Sequence, residues 1–370
     1  MQVHYDAVVI GAGPGGCMAA KVLTDAAFKV LLVERERIPR EKPCGGFLPP
    51  EAVSLVEGNF GALPGDCLAH PDLVRGARLV CERGGTYDLP FSEPGRSVLR
   101  SRLDAFLAAC CGAEVRDGCE VVGLSVQHFH VRARIKGAEG EEDVESTYLV
   151  GADGADSMVL RHLRPEFHRV YAAPRLERTM LVLSGGETGW DREWMGLILL
   201  EHGKGIDRLF VKEDLIGMAV NYDSGAGWQD ELGALAAFLK ENIGLRLQGE
   251  AMRLMSASNR MGARGSYNLG AGCALLVGEA AGLLDPWGLG IHLALESGLV
   301  AAESLIESAG ENITPHLRYR YRMQELLDRY MKQRWDFTGK VGGFDAVSLA
   351  RGKGRAARRD RRILRRRFSR

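Results

Sequence analysis

Residues 5–16 read Tyr5-Asp-Ala-Val-Val-Ile-Gly-Ala-Gly-Pro-Gly-Gly16. A short apolar run suited to a buried parallel strand leads straight into Gly11-x-Gly13-x-x-Gly16, and Cys17 to Ala26 is small and helix-compatible. Each glycine has its own task in such a turn. Gly11 allows the tight bend, Gly13 lets the backbone approach a pyrophosphate, and Gly16 lets helix and strand pack closely. A second apolar strand, Lys29 to Val33, ends at Glu34, 18 residues after Gly16. A carboxylate there accepts hydrogen bonds from an adenosine ribose. The unit is therefore a βαβ dinucleotide site, and on this motif alone NAD, NADP and FAD all remain open.

Working outward, Leu99, Leu103, Phe106, Leu107 and Cys110 recur at helical spacing, which predicts an amphipathic helix over 98–111. Val121 to His128, His130 to Lys136 and Thr147 to Val150 predict a β-meander leading into Gly151-Ala-Asp153-Gly154. From about Glu166 to Tyr267 the grain changes. Met180–Ser184, Leu197–Leu200, Arg208–Lys212 and Ile216–Tyr222 read as strands, backed by a helix through Leu232, Leu235, Leu239 and Ile243. Arg78–Cys81 and Thr86–Leu89 read as a hairpin belonging to the same sheet. Apolar strand and helix patterns of the first kind return at Ala274–Val277, Ile291–Glu307 and Pro315–Trp335. The fold class expected is α/β, a Rossmann-type dinucleotide-binding domain interleaved with a mainly antiparallel β-sheet substrate domain. Its expected boundaries are 1–72, 97–165 and 268–340 for the first, 73–96 and 166–267 for the second, and 341–370 for a basic C-terminal tail.

The chain has 370 residues, 46% hydrophobic and 26% charged, which excludes wholesale disorder and suits two or three packed units. No apolar run approaches the roughly 18 residues that a spanning helix needs, and the first ten residues carry no leader pattern, so a cytoplasmic location is expected. Eight cysteines without a C-x-x-C pair and nine dispersed histidines point to no metal site and no disulfide framework. Redox chemistry then needs an organic cofactor. The formal charge of zero hides an asymmetry: residues 351–370 hold eleven Lys or Arg against one acid, and the body is correspondingly acidic. The tail lacks interleaved aromatic residues, so nucleic acid is not expected. Its expected partners are the acidic body or an anionic membrane surface, giving peripheral membrane contact screened by salt.

Three further segments single out FAD by the company they keep. Arg100 opens Arg-Ser-Arg-Leu-Asp104; Gly151-Ala-Asp153-Gly154 follows a strand; Gly278-Glu279-Ala-Ala-Gly-Leu-Leu-Asp285-Pro286 precedes Gly288-Leu-Gly290 and a helix starting at Ile291. In this order and spacing the set resembles the FAD-dependent hydroxylase and reductase superfamily, and Lys42-Pro43-Cys44-Gly45-Gly46 resembles the P-C-G-G signature of the geranylgeranyl reductase-like family over about 1–335. The resemblance implies FAD as cofactor. Gly11, Gly13, Gly16 and Glu34 would hold the ADP half, Arg100 the linking region, and Glu279 and Asp285 through Gly290 and Ile291 the ribityl and isoalloxazine end, with Asp153 part of the set. It also places Cys44 on a loop near the flavin, where its thiol could protonate a substrate during hydride transfer.

Three positions depart from the family pattern. Glu279 stands where Asp is usual, Leu289 where Glu is usual between Gly288 and Gly290, and the aromatic Tyr-x-Trp-x-Phe-Pro segment is replaced by Ile206-Asp-Arg-Leu-Phe210-Val211. Trp190, Trp194 and Phe210 are candidate walls of a substrate pocket, or plain core. The activity implied is reduction of a carbon–carbon double bond in an apolar substrate, isoprenoids included. The electron donor would be NAD(P)H or a redox protein. An FAD-dependent aromatic monooxygenase and a non-catalytic or electron-transfer FAD protein are the alternatives on the same scaffold.

Overall fold

The computed structural model describes residues 4–82, 85–172, 175–200, 206–222, 227–248, 251–259, 261, 266–284, 289–311 and 313–328. Strand His4–Ile10 is buried along nearly its whole length because parallel strands bury both faces, and it pairs in parallel with Val30–Val33 and with the end of Gly140–Gly151. Ala274–Leu276 and Glu114–Arg116 extend the parallel sheet on either side. Glu120–Gln127 and His130–Gly137 form the expected meander with Gly140–Gly151. Helix Pro14–Asp25 covers one face and packs on the 19-residue helix Ile291–Ala309.

That helix crossing is unusually close. A Cβ on Gly298 would stand 2.3 Å from the Gly15 carbonyl oxygen, and one on Gly15 would stand 2.9 Å from the carbonyl of Ala294. Backbone cannot move aside as a flexible side chain can. Gly298→Ala is therefore expected to destabilise the protein by about 1–3 kcal/mol, read as a lower urea midpoint with an unchanged slope.

The second sheet orders its strands Ala251–Asn259, Arg175–Ser184, Leu215–Tyr222, Asp207–Lys212, Trp194–Leu199, Leu68–Cys81, Gly85–Val98 and Phe47–Leu48. All neighbours are antiparallel except Trp194–Leu199, which runs parallel to Gly76–Cys81. The interleaving is deeper than the expected boundaries. The hairpin spans 68–81 and 85–98 rather than 73–96, and Phe47–Leu48 also joins this sheet by pairing with Arg96 and Ser97. A two-residue strand next to glycines carries no periodicity, which is why it is silent in the sequence.

The sheet has two differently used faces, as strand alternation requires. Ile198, Leu209, Val211, Ile216, Met218 and Val220 pack with Leu232, Leu235, Phe238 and Leu239 of helix Trp228–Ile243. Ala77, Leu79, Leu89, Met195, Leu197 and Leu199 form the other face, with Phe47, Phe210 and Leu289 packed onto it. Leu289 lies in the segment leading into helix Ile291–Ala309, so this second face is the one turned toward the dinucleotide-binding domain.

Trp190 does not line that face. Its ring is buried in the cluster behind the sheet, its indole N–H donates to the Trp194 carbonyl at 2.7 Å, and the Arg78 guanidinium lies 5.5 and 5.4 Å from the rings of Trp190 and Trp194. Arg78 is in turn held by Asp88 at 2.6 and 2.9 Å. Trp190 is therefore a core residue, buried with the helix-facing side of the sheet. Helix Pro315–Leu326 closes the described chain; Asp285, Gly288 and the tail 341–370 lie outside the described residues. No helix among the described residues is long and apolar enough to cross a membrane.

Candidate flavin site

The glycine turn is built as the spacing requires. Gly11 has φ +102° and donates its N–H to the Val33 carbonyl at 2.8 Å, so the loop leaves between the two strands. A Cβ on Gly16 would stand 1.9 Å from the Gly11 carbonyl oxygen, whereas one on Gly13 would meet nothing within 4 Å. Gly16 is thus demanded by packing, and Gly13 by what must approach from outside. Helix Pro14–Asp25 starts on Gly13 with no side-chain cap, leaving first-turn N–H groups available to an anion.

Glu34 is buried at the end of its strand and holds the loop shut. It accepts the Ala12 N–H at 2.9 Å and the Glu36 N–H at 3.1 Å, and Arg40 approaches it at 3.3 Å. Arg40 also meets Asp104 at 3.2 Å. Asp104 is almost fully buried and grips Arg100 with both oxygens, at 2.9 and 2.8 Å, one helical turn away. The carboxylate raises the Arg100 pKa against the opposing effect of its burial, so the guanidinium is a permanent charge. Neither Arg40 nor Asp104 was among the residues expected. The i,i+4 spacing of Arg100 and Asp104 was the available signal for the second; Arg40 is surrounded by ordinary charged loop residues and gave none.

Lys42 reaches water, yet protein walls surround its amine closely enough that desolvation, with Arg100 and Arg40 nearby, lowers its pKa. That combination describes a side chain in a cleft. Glu279 acts on Lys42 in the opposite sense, so the turn Gly278–Ala281 comes to the same cleft. Gly278 has φ +56° and donates its N–H to the Ser297 hydroxyl at 2.9 Å, fixing that turn to helix Ile291–Ala309. Gly290 caps the helix and Ile291 is its buried first residue.

Asp153 is placed differently from a free ligand. One oxygen accepts the Ser157 hydroxyl at 2.6 Å, and the other the Val159 N–H at 3.1 Å. Ser157 itself caps helix Met158–Leu163. Asp153 therefore shapes the turn whose Ala152 backbone packs on Gly11, and burial raises its pKa.

Cys44 lies at the junction with the second sheet. Burial alone would raise its pKa, but the Arg100 guanidinium, the Gly46 N–H at 3.4 Å and the Lys212 ammonium together bring it below the usual thiol value. Next to it, Gly45 packs so closely on the Phe210 ring that a Cβ would stand 1.9 Å from the ring edge. Gly46, at φ +64°, accepts the Val98 N–H on its carbonyl at 2.8 Å. Behind this loop is a cavity of about 20 Å³ bordered by Phe47, Trp194, Met195 and Phe210, room for one water. A larger surface hollow at Leu163–Phe167 and Asn268 shares none of these residues.

FAD fits this arrangement on three grounds visible in the chain. Gly13 opens onto free space, the cations of Arg40, Lys42 and Arg100 gather around one cleft, and the Arg40 Nε is buried with no hydrogen-bond partner among the described residues. A dianionic pyrophosphate linking two apolar ring systems answers all three.

Comparison with known proteins agrees with this geometry. Residues 4–177 match the FAD binding domain family. Protein CbrA of Escherichia coli K12 is 30% identical over 176 residues, 46% of this chain, and the match spans 49% of that protein, about half the length of the curated relative. Among solved structures, a geranylgeranyl bacteriochlorophyll reductase-like protein from Thermoplasma acidophilum superposes with TM-score 0.71 at 19% identity, covering 98% of this chain and 90% of its own. The flavin-dependent brominase Bmp2 gives 0.70 at 18% identity over 99% and 98%. Aklavinone-11 hydroxylase, solved with FAD and aklavinone, gives 0.62 at 20% identity over 84% and 64%. At these identities the structures share the fold. Residues 4–177 thus match an FAD-binding domain, the cofactor is FAD, and the overall fold is one shared with the reductase-like, brominase and hydroxylase structures.

Proposed function

We propose that the chain is an oxidoreductase that reduces a carbon–carbon double bond of an apolar substrate, isoprenoids being within the class. The observation that carries this reading is the position of Cys44. Its thiol packs on the core of the dinucleotide-binding domain within electrostatic reach of Arg100 and Lys212, and its neighbour Gly45 touches Phe210, which lies on the apolar sheet face of Phe47, Leu79, Met195, Leu197 and Leu199. Phe210 and Leu289, only partly buried on that face, are where a substrate hydrocarbon would make contact.

Bound FAD supplies hydride. Gly11, Gly13, Gly16 and Glu34 would hold its adenosine and pyrophosphate, Arg40, Lys42 and Arg100 its negative charge, and Glu279, Gly290 and Ile291 the remainder. Saturating a double bond also takes a proton, and the chain has to provide it. Cys44 can: an acid whose pKa is brought toward the working pH transfers its proton more readily, and Arg100 and Lys212 stabilise the thiolate left behind. The contact of Gly45 with Phe210 holds the loop that carries the sulfur against the second sheet. A nicotinamide or a redox protein would restore the reduced cofactor.

The test starts from anaerobically reduced protein. The purified holoprotein is reduced and mixed either with a panel of apolar alkenes or with oxygen plus an aromatic panel. Reoxidation by an alkene with a product heavier by two hydrogens is the expected result. Reoxidation by oxygen alone with a hydroxylated product would make the protein a monooxygenase, and slow reoxidation without product in both arms would leave an electron-transfer protein.

A further inference from the structure

The Pro-Cys-Gly-Gly loop belongs to the dinucleotide-binding half of the chain, yet two side chains of strand Asp207–Lys212 in the other sheet determine where it sits. Phe210 and Lys212 are two residues apart and so emerge from the same face of the strand. Phe210 fills the space above Gly45. The Lys212 ammonium donates to the Gly45 carbonyl at 3.0 Å and to the Val98 carbonyl at 2.7 Å, and a Cβ on Gly46 would come within 2.7 Å of its nitrogen. One amine thus ties together the loop that carries Cys44, the end of strand Gly85–Val98 and its own strand.

We propose that Lys212 is the positioning residue for Cys44: reaching across from the substrate sheet, its ammonium pins the Gly45 carbonyl and sets a positive charge beside the sulfur. The proposal rests on the reading of Cys44 as proton donor. Charged groups face this pair from several elements. Cys44 faces Arg100 from helix Arg100–Cys110 and Lys212 from its strand; Lys212 faces Cys44, Arg100, Glu213 in its own turn and Glu41 from the loop. Burial brings the Lys212 amine down to about 8, with Cys44 acting in the opposite direction. The sulfur and the amine therefore favour each other's charged form, and the coupling must be reciprocal. A consequence is that substrate pressing on the sheet face at Phe210 would be felt at the sulfur.

Peptide-resolved alkylation of the FAD-loaded protein with iodoacetamide, run against pH, reads the Cys44 thiolate separately from the seven other cysteines. Lys212→Gln keeps an N–H donor for the carbonyls and removes the charge; the Cys44 midpoint should rise by roughly one pH unit, and Lys212→Arg should restore it. An unmoved midpoint in a folded, flavin-loaded Lys212→Gln would overturn the proposal. Should that variant fail to fold, the reciprocal measurement decides. Acetic anhydride labelling of Lys212 against pH should show a lower midpoint in Cys44→Ala than in the natural protein, and equal midpoints would reject the coupling. Neither assay involves a substrate, so the clasp can fail while double-bond reduction stands, and the reverse.

Discussion

Gly13→Asp should yield a folded, colourless protein. A Cβ at Gly13 meets nothing within 4 Å, so the glycine loop, the helix behind it and the sheet can form unchanged. The new carboxylate would project where a pyrophosphate has to approach, adding both bulk and a like charge. Flavin affinity should fall by roughly 100-fold or more, about 3 kcal/mol, and purification should return apoprotein. Gly16→Val provides the contrast, because its Cβ would overlap the Gly11 carbonyl at 1.9 Å and the fold itself should fail. Circular dichroism and the visible flavin band distinguish the two outcomes. A Gly13→Asp protein with full flavin content would remove the glycine turn as the pyrophosphate site.

The contrast between these glycines shows what the sequence could and could not disclose. Gly11, Gly13, Gly16 and Glu34 were legible because their chemistry is local: one turn, one helix start, and one strand end 18 residues on. The two-sheet architecture was legible for the same reason, since strand alternation and helix periodicity are short-range patterns. Arg40, Asp104 and Lys212 were harder. Arg40 and Asp104 are 64 residues apart, and Lys212 meets Gly45 across 167 residues, so no spacing links them. Asp153 was found as a member of a motif, but its partners, Ser157 and Val159, make it a brace for the turn that packs on Gly11. Trp190 was open between pocket wall and plain core because an aromatic residue on a strand-rich stretch carries no mark of the face it will take; it is core, with Arg78 against its ring and that of Trp194.

Cys44→Ala should separate the two halves of the proposed reaction. The substitution removes the sulfur without adding bulk next to Gly45, whose contact with Phe210 has no room to spare. Glycine turn, Glu34, Arg40 and Arg100 are untouched, so flavin content and flavin reduction by the donor should remain. Anaerobic reduction of an alkene should slow by roughly 100-fold or more, the usual loss when a general acid is deleted. The pH profile gives a second readout. In the natural protein the thiol must be protonated to act, so the rate should fall as pH rises through the Cys44 pKa, which Arg100 and Lys212 hold below the ordinary thiol value. In Cys44→Ala that limb should vanish, and in Cys44→Ser, whose hydroxyl keeps its proton throughout, it should vanish as well while the rate stays low. An unchanged single-turnover rate in Cys44→Ala would reduce Cys44 to a packing residue. The proton would then have to come from solvent or from another group in the cleft, with Lys42 the first to examine, since its amine is both open to the cleft and depressed by desolvation and the neighbouring guanidiniums.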